Sequence, residues 1–175
     1  MPEAIEGLLP GYGPRLAMIR LAAFDVDGTL TDGGIYLDGE GGEWKRFDVQ
    51  DGMGLSLLAR SGVILAIISG RYSPVTERRA RELGIEHCAN GVGEKLPVLR
   101  DLARKLGISP EEIAFLGDDV NDLACITWAG LGMAVQNALP EVQKAAKHVT
   151  HRSGGAGAVR EAAEYILAYN RSEGA

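Results

Sequence analysis

Seven consecutive residues, Val63–Ser69 (VILAIIS), constrain this chain more than any other stretch. They are apolar at both odd and even positions, so a strand built from them must be covered on both faces. A parallel sheet held between two helix layers provides that cover. Related runs recur at Ile19–Val26 (IRLAAFDV) and Ile113–Asp118 (IAFLGD), with shorter ones at Gly130–Val135 and Lys147–Thr150. Helical patterns with start and stop signals lie between them. Asp51 opens one that ends at Gly62, and Ser73 with Pro74 opens another that ends at Gly84. Leu96, Leu99, Leu102 and Leu106 line one face of a third, and Ser109-Pro110 begins a fourth. Val159, Ala162, Ala163, Ile166 and Leu167 form the stripe of the last. Strand-helix alternation of this kind predicts an α/β fold: a single Rossmann-like three-layer domain with a parallel sheet over residues 19–172, after an irregular lead-in at 1–18.

One segment interrupts the alternation. Residues 33–49 (GGIYLDGEGGEWKRFDV) read as two short strands around the Gly-rich turn DGEGG, a small protruding β-hairpin. A hairpin alone is marginal in water, so it is expected to lean on something, with a second subunit as the first choice. Tyr36, Trp44 and Phe47 are read as packing for such an interface.

Composition narrows the partners. The 175 residues carry a formal net charge of −6, which argues against a nonspecific nucleic-acid binder. No apolar run is long enough to span a bilayer. Cys88 and Cys125 are the two cysteines, far apart and in no CxxC pair, so neither a disulfide framework nor a zinc site is expected. The N-terminal stretch lacks the basic start and apolar run of a secretory signal, and a reduced, cytoplasmic location is expected. His87, His148 and His151 show no metal-ligand spacing, and Cys125 reads as core.

The chemistry sits where the strands end, as ligands do in open parallel sheets. DVDGT places Asp25 and Asp27 after the first strand, and GDDVND places Asp118, Asp119 and Asp122 after another. Carboxylates gathered in one crevice repel unless a cation or proton lies between them. Such oxygen donors suit Mg²⁺, which takes a few carboxylates together with water and phosphate. Ser69, Gly70 and Arg71 bring a hydroxyl, a backbone N–H and a guanidinium, and Lys95 stands at a helix start; all can hold phosphate.

DxDGT, ISGR, a lysine at a helix start and GDDxxD, in this order at strand ends, resemble the haloacid dehalogenase superfamily of phosphatases, across about residues 19–170. Residues 25–54, IISGRYSPVTERRARELGI and RSGGAGAVREAAEYIL resemble more closely its small capless branch, the 3-deoxy-D-manno-octulosonate (KDO) 8-phosphate phosphatases. The resemblance implies a Mg²⁺-dependent phosphomonoesterase with Asp25 as nucleophile and Asp27 as acid and then base. Asp25, the Asp27 backbone carbonyl and Asp118 would hold the metal, and Ser69 and Lys95 the phosphoryl oxygens. Asp122 would orient Lys95 or metal waters, and Asp119 would touch substrate or those waters. Asp48, Asp51, Gly52, Arg71 and Arg79 match substrate-facing positions, although Arg79 also reads as a solvated helix charge. The branch implies a small phosphorylated sugar acid as substrate, KDO 8-phosphate first, and a homotetramer joined through the hairpin.

Three residues depart from the branch. Gln50, Ser56 and Ala156 stand where its members usually carry arginine, and none of them can hold a carboxylate as a guanidinium does. A nonulosonate (sialic-acid-like) 9-phosphate or another small sugar phosphate is therefore an alternative substrate. A mutase would need a cap to keep water from the phospho-enzyme, and only a hairpin lies after Asp27. A noncatalytic protein on this fold would have lost Asp25 or Asp27, and both are present.

Overall fold

The computed structural model describes residues 17–173, so most of the expected lead-in lies outside the described residues. The expected sheet is there. Strands β1 (Leu21–Phe24), β4 (Ile64–Ser69), β5 (His87–Asn90), β6 (Ile113–Gly117), β7 (Leu131–Ala134) and β8 (His148–Val149) pair in the order β5-β4-β1-β6-β7-β8. Every pairing is parallel, with Leu21 opposite Ile64 on one side and Ile113 on the other. β1, β6 and nearly all of β4 are buried, as their two-sided apolar pattern requires. Fully burying a Leu or Ile side chain there contributes roughly 2 kcal/mol.

Helices α1 (Val49–Arg60), α2 (Pro74–Glu82), α3 (Lys95–Leu106), α4 (Leu123–Trp128), α5 (Pro140–Ala145) and α6 (Ala158–Glu173) flank the sheet. α1 packs on α6, and α4 on both α3 and α5. The chain builds outward from β1 through β4 to β5, then returns to lay β6 on the other side of β1. That reversal at β1 opens a crevice at the carboxyl ends of β1 and β6, where the acidic loops begin.

Two local expectations are corrected, and one strand lies where none was read. α1 begins earlier than the Asp51 start: Asp48 is its cap, and its Oδ1 accepts from the N–H groups of Gln50 at 2.7 Å and Asp51 at 3.3 Å. Ser109-Pro110 opens no helix, only a 3-10 turn at Pro110–Glu112 that runs directly into β6. β5 gave no signal, because His87–Asn90 is a half-buried edge strand without an apolar run.

The hairpin has two strands, β2 (Tyr36–Leu37) and β3 (Glu43–Trp44), with Tyr36 opposite Trp44. Asp38 organises its turn by accepting from the N–H groups of Glu40 and Gly42, both at 2.8 Å. A bridge between Thr31 and Phe47 ties the stem to the segment following β1.

Candidate active site

Asp25 leaves the end of β1, and its N–H still donates to the Leu116 carbonyl of β6 at 3.0 Å. The residue is 5% exposed. Lys95, the first residue of α3, bridges Asp25 and Asp122: Nζ lies 2.5 Å from Asp25 Oδ1 and 2.7 Å from Asp122 Oδ1. The other Asp122 oxygen accepts from the backbone N–H groups of Asp118 (3.0 Å) and Asp119 (3.2 Å). Asp122 thus shapes the loop and steers the lysine, with both oxygens engaged. The Thr29 hydroxyl faces Asp25 Oδ2 and Asp118 Oδ1, each at 3.4 Å.

Oxygens of Asp25, Asp118 and Asp122 lie within 4.8 Å of one another. The crowding shows in the protonation of Asp25 and Asp118. Burial and then the charge of Asp122 push Asp25 up to about 6, with Lys95 pulling the other way. Burial and the charge of Asp25 push Asp118 up to about 8. Burial works against the Lys95 ammonium, but Asp25 and Asp122 outweigh it and raise its proton affinity. One ammonium among three carboxylates leaves excess negative charge, and Asp25 and Asp118 retain open oxygens. That donor set fits a hard divalent cation.

Gly28 makes the crevice possible. It turns with φ +89°, and a Cβ there would lie 2.0 Å from Asp118 Oδ2. Gly154 seals the same loop from behind, where a Cβ would meet the Gly28 carbonyl at 1.8 Å.

Asp27 points elsewhere. Its Oδ1 accepts from Lys45 Nζ at 2.6 Å, and the Lys45 side chain is wholly buried. Lys45 follows β3, so the flap reaches back into the catalytic loop. Glu43 fastens it: its carboxylate takes Arg71 at 2.5 Å, the Ser73 hydroxyl at 2.7 Å and Lys45 at 3.7 Å. Burial opposes ionisation of Glu43, yet Ser73 and Arg71 hold it below the usual carboxylate range. Neither Glu43 nor Lys45 was singled out in the sequence. Their signal was alternation: positions 43, 45 and 47 share one face of a strand.

The remaining candidates fall into two groups. Ser69 is buried at the end of β4 with its hydroxyl on the Arg71 carbonyl at 3.1 Å, and Gly70 lies against Asn121 and Lys95 Cε. These border the crevice. At the start of α1, Asp51 is 1% exposed and accepts from the Arg160 N–H of α6 at 2.9 Å, and burial raises its proton affinity. Gly52 packs against Arg79, whose guanidinium lies 5.4 Å above the Phe47 ring. Asp48 and Asp119 each cap a helical turn, Asp119 accepting from Val120 N–H at 2.6 Å. No helix among the described residues is long and apolar enough to cross a membrane.

Known proteins resemble this chain in sequence and fold. The haloacid dehalogenase-like hydrolase profile matches residues 90–162. 3-Deoxy-D-manno-octulosonate 8-phosphate phosphatase KdsC of Salmonella typhi is 41% identical over 174 residues, covering 95% of this chain and 93% of that protein. The chain belongs to the KDO 8-phosphate phosphatase family of haloacid dehalogenase-like hydrolases. The Moraxella catarrhalis KDO 8-phosphate phosphatase, solved with magnesium ion, phosphate ion and KDO, superposes with a TM-score of 0.86 at 46% identity, covering 89% of this chain and 90% of that one. A probable YrbI family phosphatase from Pseudomonas syringae gives a TM-score of 0.87 at 49% identity, covering 89% of each chain.

Proposed function

We propose that this chain is a Mg²⁺-dependent phosphomonoesterase that hydrolyses KDO 8-phosphate to KDO and phosphate in the cytoplasm. The observation that carries the reading is the convergence of Asp25, Asp118 and Asp122 around one point, bridged by Lys95. Asp25, Asp118 and the Asp27 backbone carbonyl would hold Mg²⁺, which supplies charge neutralisation between carboxylate and phosphate dianion.

The chain's own residues divide the rest. Lys95 and Ser69 grip phosphoryl oxygens. Asp25 attacks phosphorus through a carboxylate oxygen, and the bond from phosphorus to the sugar oxygen breaks with its electron pair on that oxygen. Asp27, as the neutral acid, gives its proton to that leaving oxygen, which departs as the alcohol. As the carboxylate it then takes a proton from water, whose oxygen attacks phosphorus and frees both phosphate and Asp25. Lys45 fixes where the Asp27 carboxylate stands.

The flap also proposes an assembly. Tyr36, Leu37 and Trp44 are 54%, 69% and 68% exposed, an apolar load that a lone hairpin gains nothing by showing to water. We infer a homotetramer in which the hairpins meet.

Phosphate release measured with Mg²⁺ tests the reading. KDO 8-phosphate is expected to give the highest kcat/KM among sugar phosphates, with loss of turnover in chelator. A nonulosonate 9-phosphate hydrolysed tenfold more efficiently would replace the assigned substrate.

A further inference from the structure

Asp51 stands in a stretch expected to face the substrate, yet it is 1% exposed and its carboxylate meets another helix. Oδ1 accepts from the N–H of Arg160, in the first turn of α6, at 2.9 Å. Burial raises the proton affinity of Asp51, while the N–H groups of Arg160, Gly157 and Val159 pull the other way. The first N–H groups of a helix have no partner within it. Gly157 precedes α6, its carbonyl taking the N–H of Glu161 at 3.0 Å, and it has no side chain with which to cap. Asp51 of α1 fills that role from across the helix interface. A carboxylate does more there than an amide or a hydroxyl, because its charge also meets the positive end of a 16-residue helix. Its other oxygen, Oδ2, is buried with no hydrogen-bond partner among the described residues, so the end of α6 is what holds the group. Gly54 lets the two helices come this close: a Cβ there would lie 2.8 Å from Arg160 Cα.

The segment that this cap anchors lies against the acidic crevice. Gly155 N–H donates to the Thr29 carbonyl at 3.1 Å, and a Cβ at Gly154 would meet the Gly28 carbonyl at 1.8 Å. The Thr29 hydroxyl in turn lies 3.4 Å from Asp25 Oδ2 and 3.4 Å from Asp118 Oδ1. Gly28 is joined by its own peptide bond to the Asp27 carbonyl. A continuous set of contacts therefore runs from Asp51 through the start of α6 and the loop before it to the oxygens that would hold Mg²⁺. Packing this close has no slack, so a shift of α6 along its axis moves the loop and the turn it presses on.

We infer that Asp51 is a positioning residue: by capping α6 from α1 it sets where residues 154–157 press on the Gly28 turn, and so sets the spacing of the Mg²⁺ ligands. This rests on the phosphomonoesterase reading above. It gives Asp51 a part in metal binding and turnover without any contact with substrate.

The test uses the full chain, freed of metal, and two variants. Asp51→Asn keeps an acceptor oxygen without the charge, and Asp51→Ala keeps neither. Leu58→Ala, about two turns further along α1 and buried in the core, is the control for lost stability. Calorimetric titration with Mg²⁺ is expected to give a dissociation constant raised about tenfold in Asp51→Ala and about threefold in Asp51→Asn, as follows when a group that orients metal ligands is lost. Leu58→Ala is expected to lower Tm at least as far and to leave that constant within about twofold of the parent. At saturating Mg²⁺, kcat in the Asp51 variants should fall by the same factor for KDO 8-phosphate and for p-nitrophenyl phosphate, with KM for the sugar acid unchanged. A dissociation constant within about twofold of the parent in every folded Asp51 variant overturns the assignment. So does an equal weakening in Leu58→Ala, and so does a loss confined to KM for KDO 8-phosphate, which would make Asp51 a substrate contact. Where Asp51→Ala does not fold, Asp51→Asn, with its volume and one hydrogen bond preserved, decides by the same measure. A parent that binds Mg²⁺ but hydrolyses neither ester would instead refute the phosphatase reading, and the titration would still judge Asp51.

Discussion

The nest at the strand ends and the hairpin flap solve opposite problems. Asp25, Lys95 and Asp122 are at most 5% exposed and stand on β1, α3 and the loop after β6, elements fixed by the core. Their positions follow from sheet register, and no second chain is needed to set them. The hairpin has two strands of two residues each and shows its apolar side chains to water. It is held from below by charge: Lys45 on Asp27, and Glu43 on Arg71 and Ser73. The contrast separates chemistry from selection. Under the proposed function, the machinery for breaking a phosphate ester is built into the core, while the flap beside it is attached by a few ion pairs and presents an unfinished surface.

The hardest way to break this comparison is to change a core group without disturbing the fold. Asp25→Asn keeps volume and removes the carboxylate proposed as the nucleophile. Turnover of any phosphate ester is expected to fall by at least about 10⁴-fold. A circular dichroism melt should report a folded protein, because losing one of three crowded acids relieves repulsion. Phosphate release undiminished in this variant would remove Asp25 from its assigned role.

A smaller effect is expected where the two regions touch. Lys45→Ala leaves Asp27 without the ammonium that positions it, and a misplaced general acid forfeits on the order of 10–100-fold. The loss should depend on the leaving group. A sugar alkoxide needs protonation as it departs and p-nitrophenolate hardly does, so kcat should drop much further for KDO 8-phosphate than for p-nitrophenyl phosphate. Equal losses would mean that Lys45 only props the flap.

The outer face of the hairpin gives the next test. Leu37→Asp with Trp44→Asp puts like charges on both strands of the exposed face. Sedimentation is expected to show smaller species, with KM for the sugar phosphate raised several-fold and kcat with p-nitrophenyl phosphate changed less. A parent protein that sediments as a monomer would dispose of the assembly.

The same division explains what could be read from the sequence. The strands at 19–26, 63–69 and 113–118 were legible because two-sided apolar runs have few structural homes, and the acids at their ends inherit that certainty. β5 was not, since His87–Asn90 is an edge strand whose pairing with β4 comes from the sheet rather than from its own pattern. Asp48, not Asp51, caps α1, because Asp51 is drawn inside to meet α6, a tertiary contact that no local signal carries. Lys45 escaped for a related reason. Its partner Asp27 lies 18 residues back, and only the flap folding over the catalytic loop brings the two together.

The mildest effect should appear in stability rather than turnover. Asp25 and Asp118 have proton affinities raised from 3.8 to about 6 and about 8. A carboxylate raised on folding binds its proton more tightly in the folded chain than in the unfolded one. Ionising it therefore costs stability, and that cost grows as pH climbs from the unfolded value through the folded one. Protein kept in chelator should lose stability from about pH 4 to about pH 8 through these two groups. Mg²⁺ binds their ionised forms and opposes the loss, so its stabilising effect should be larger at high pH. Thermal melts at about pH 5.5 and about pH 8.5 should show a Mg²⁺-induced rise several degrees greater at the higher pH. The Lys45–Asp27 contact lies outside this acidic cluster, so Lys45→Ala should leave the pH dependence of the Mg²⁺ shift in place while Asp118→Asn flattens it. A shift independent of pH in the parent would show that the crowded acids do not bear the repulsion assigned to them.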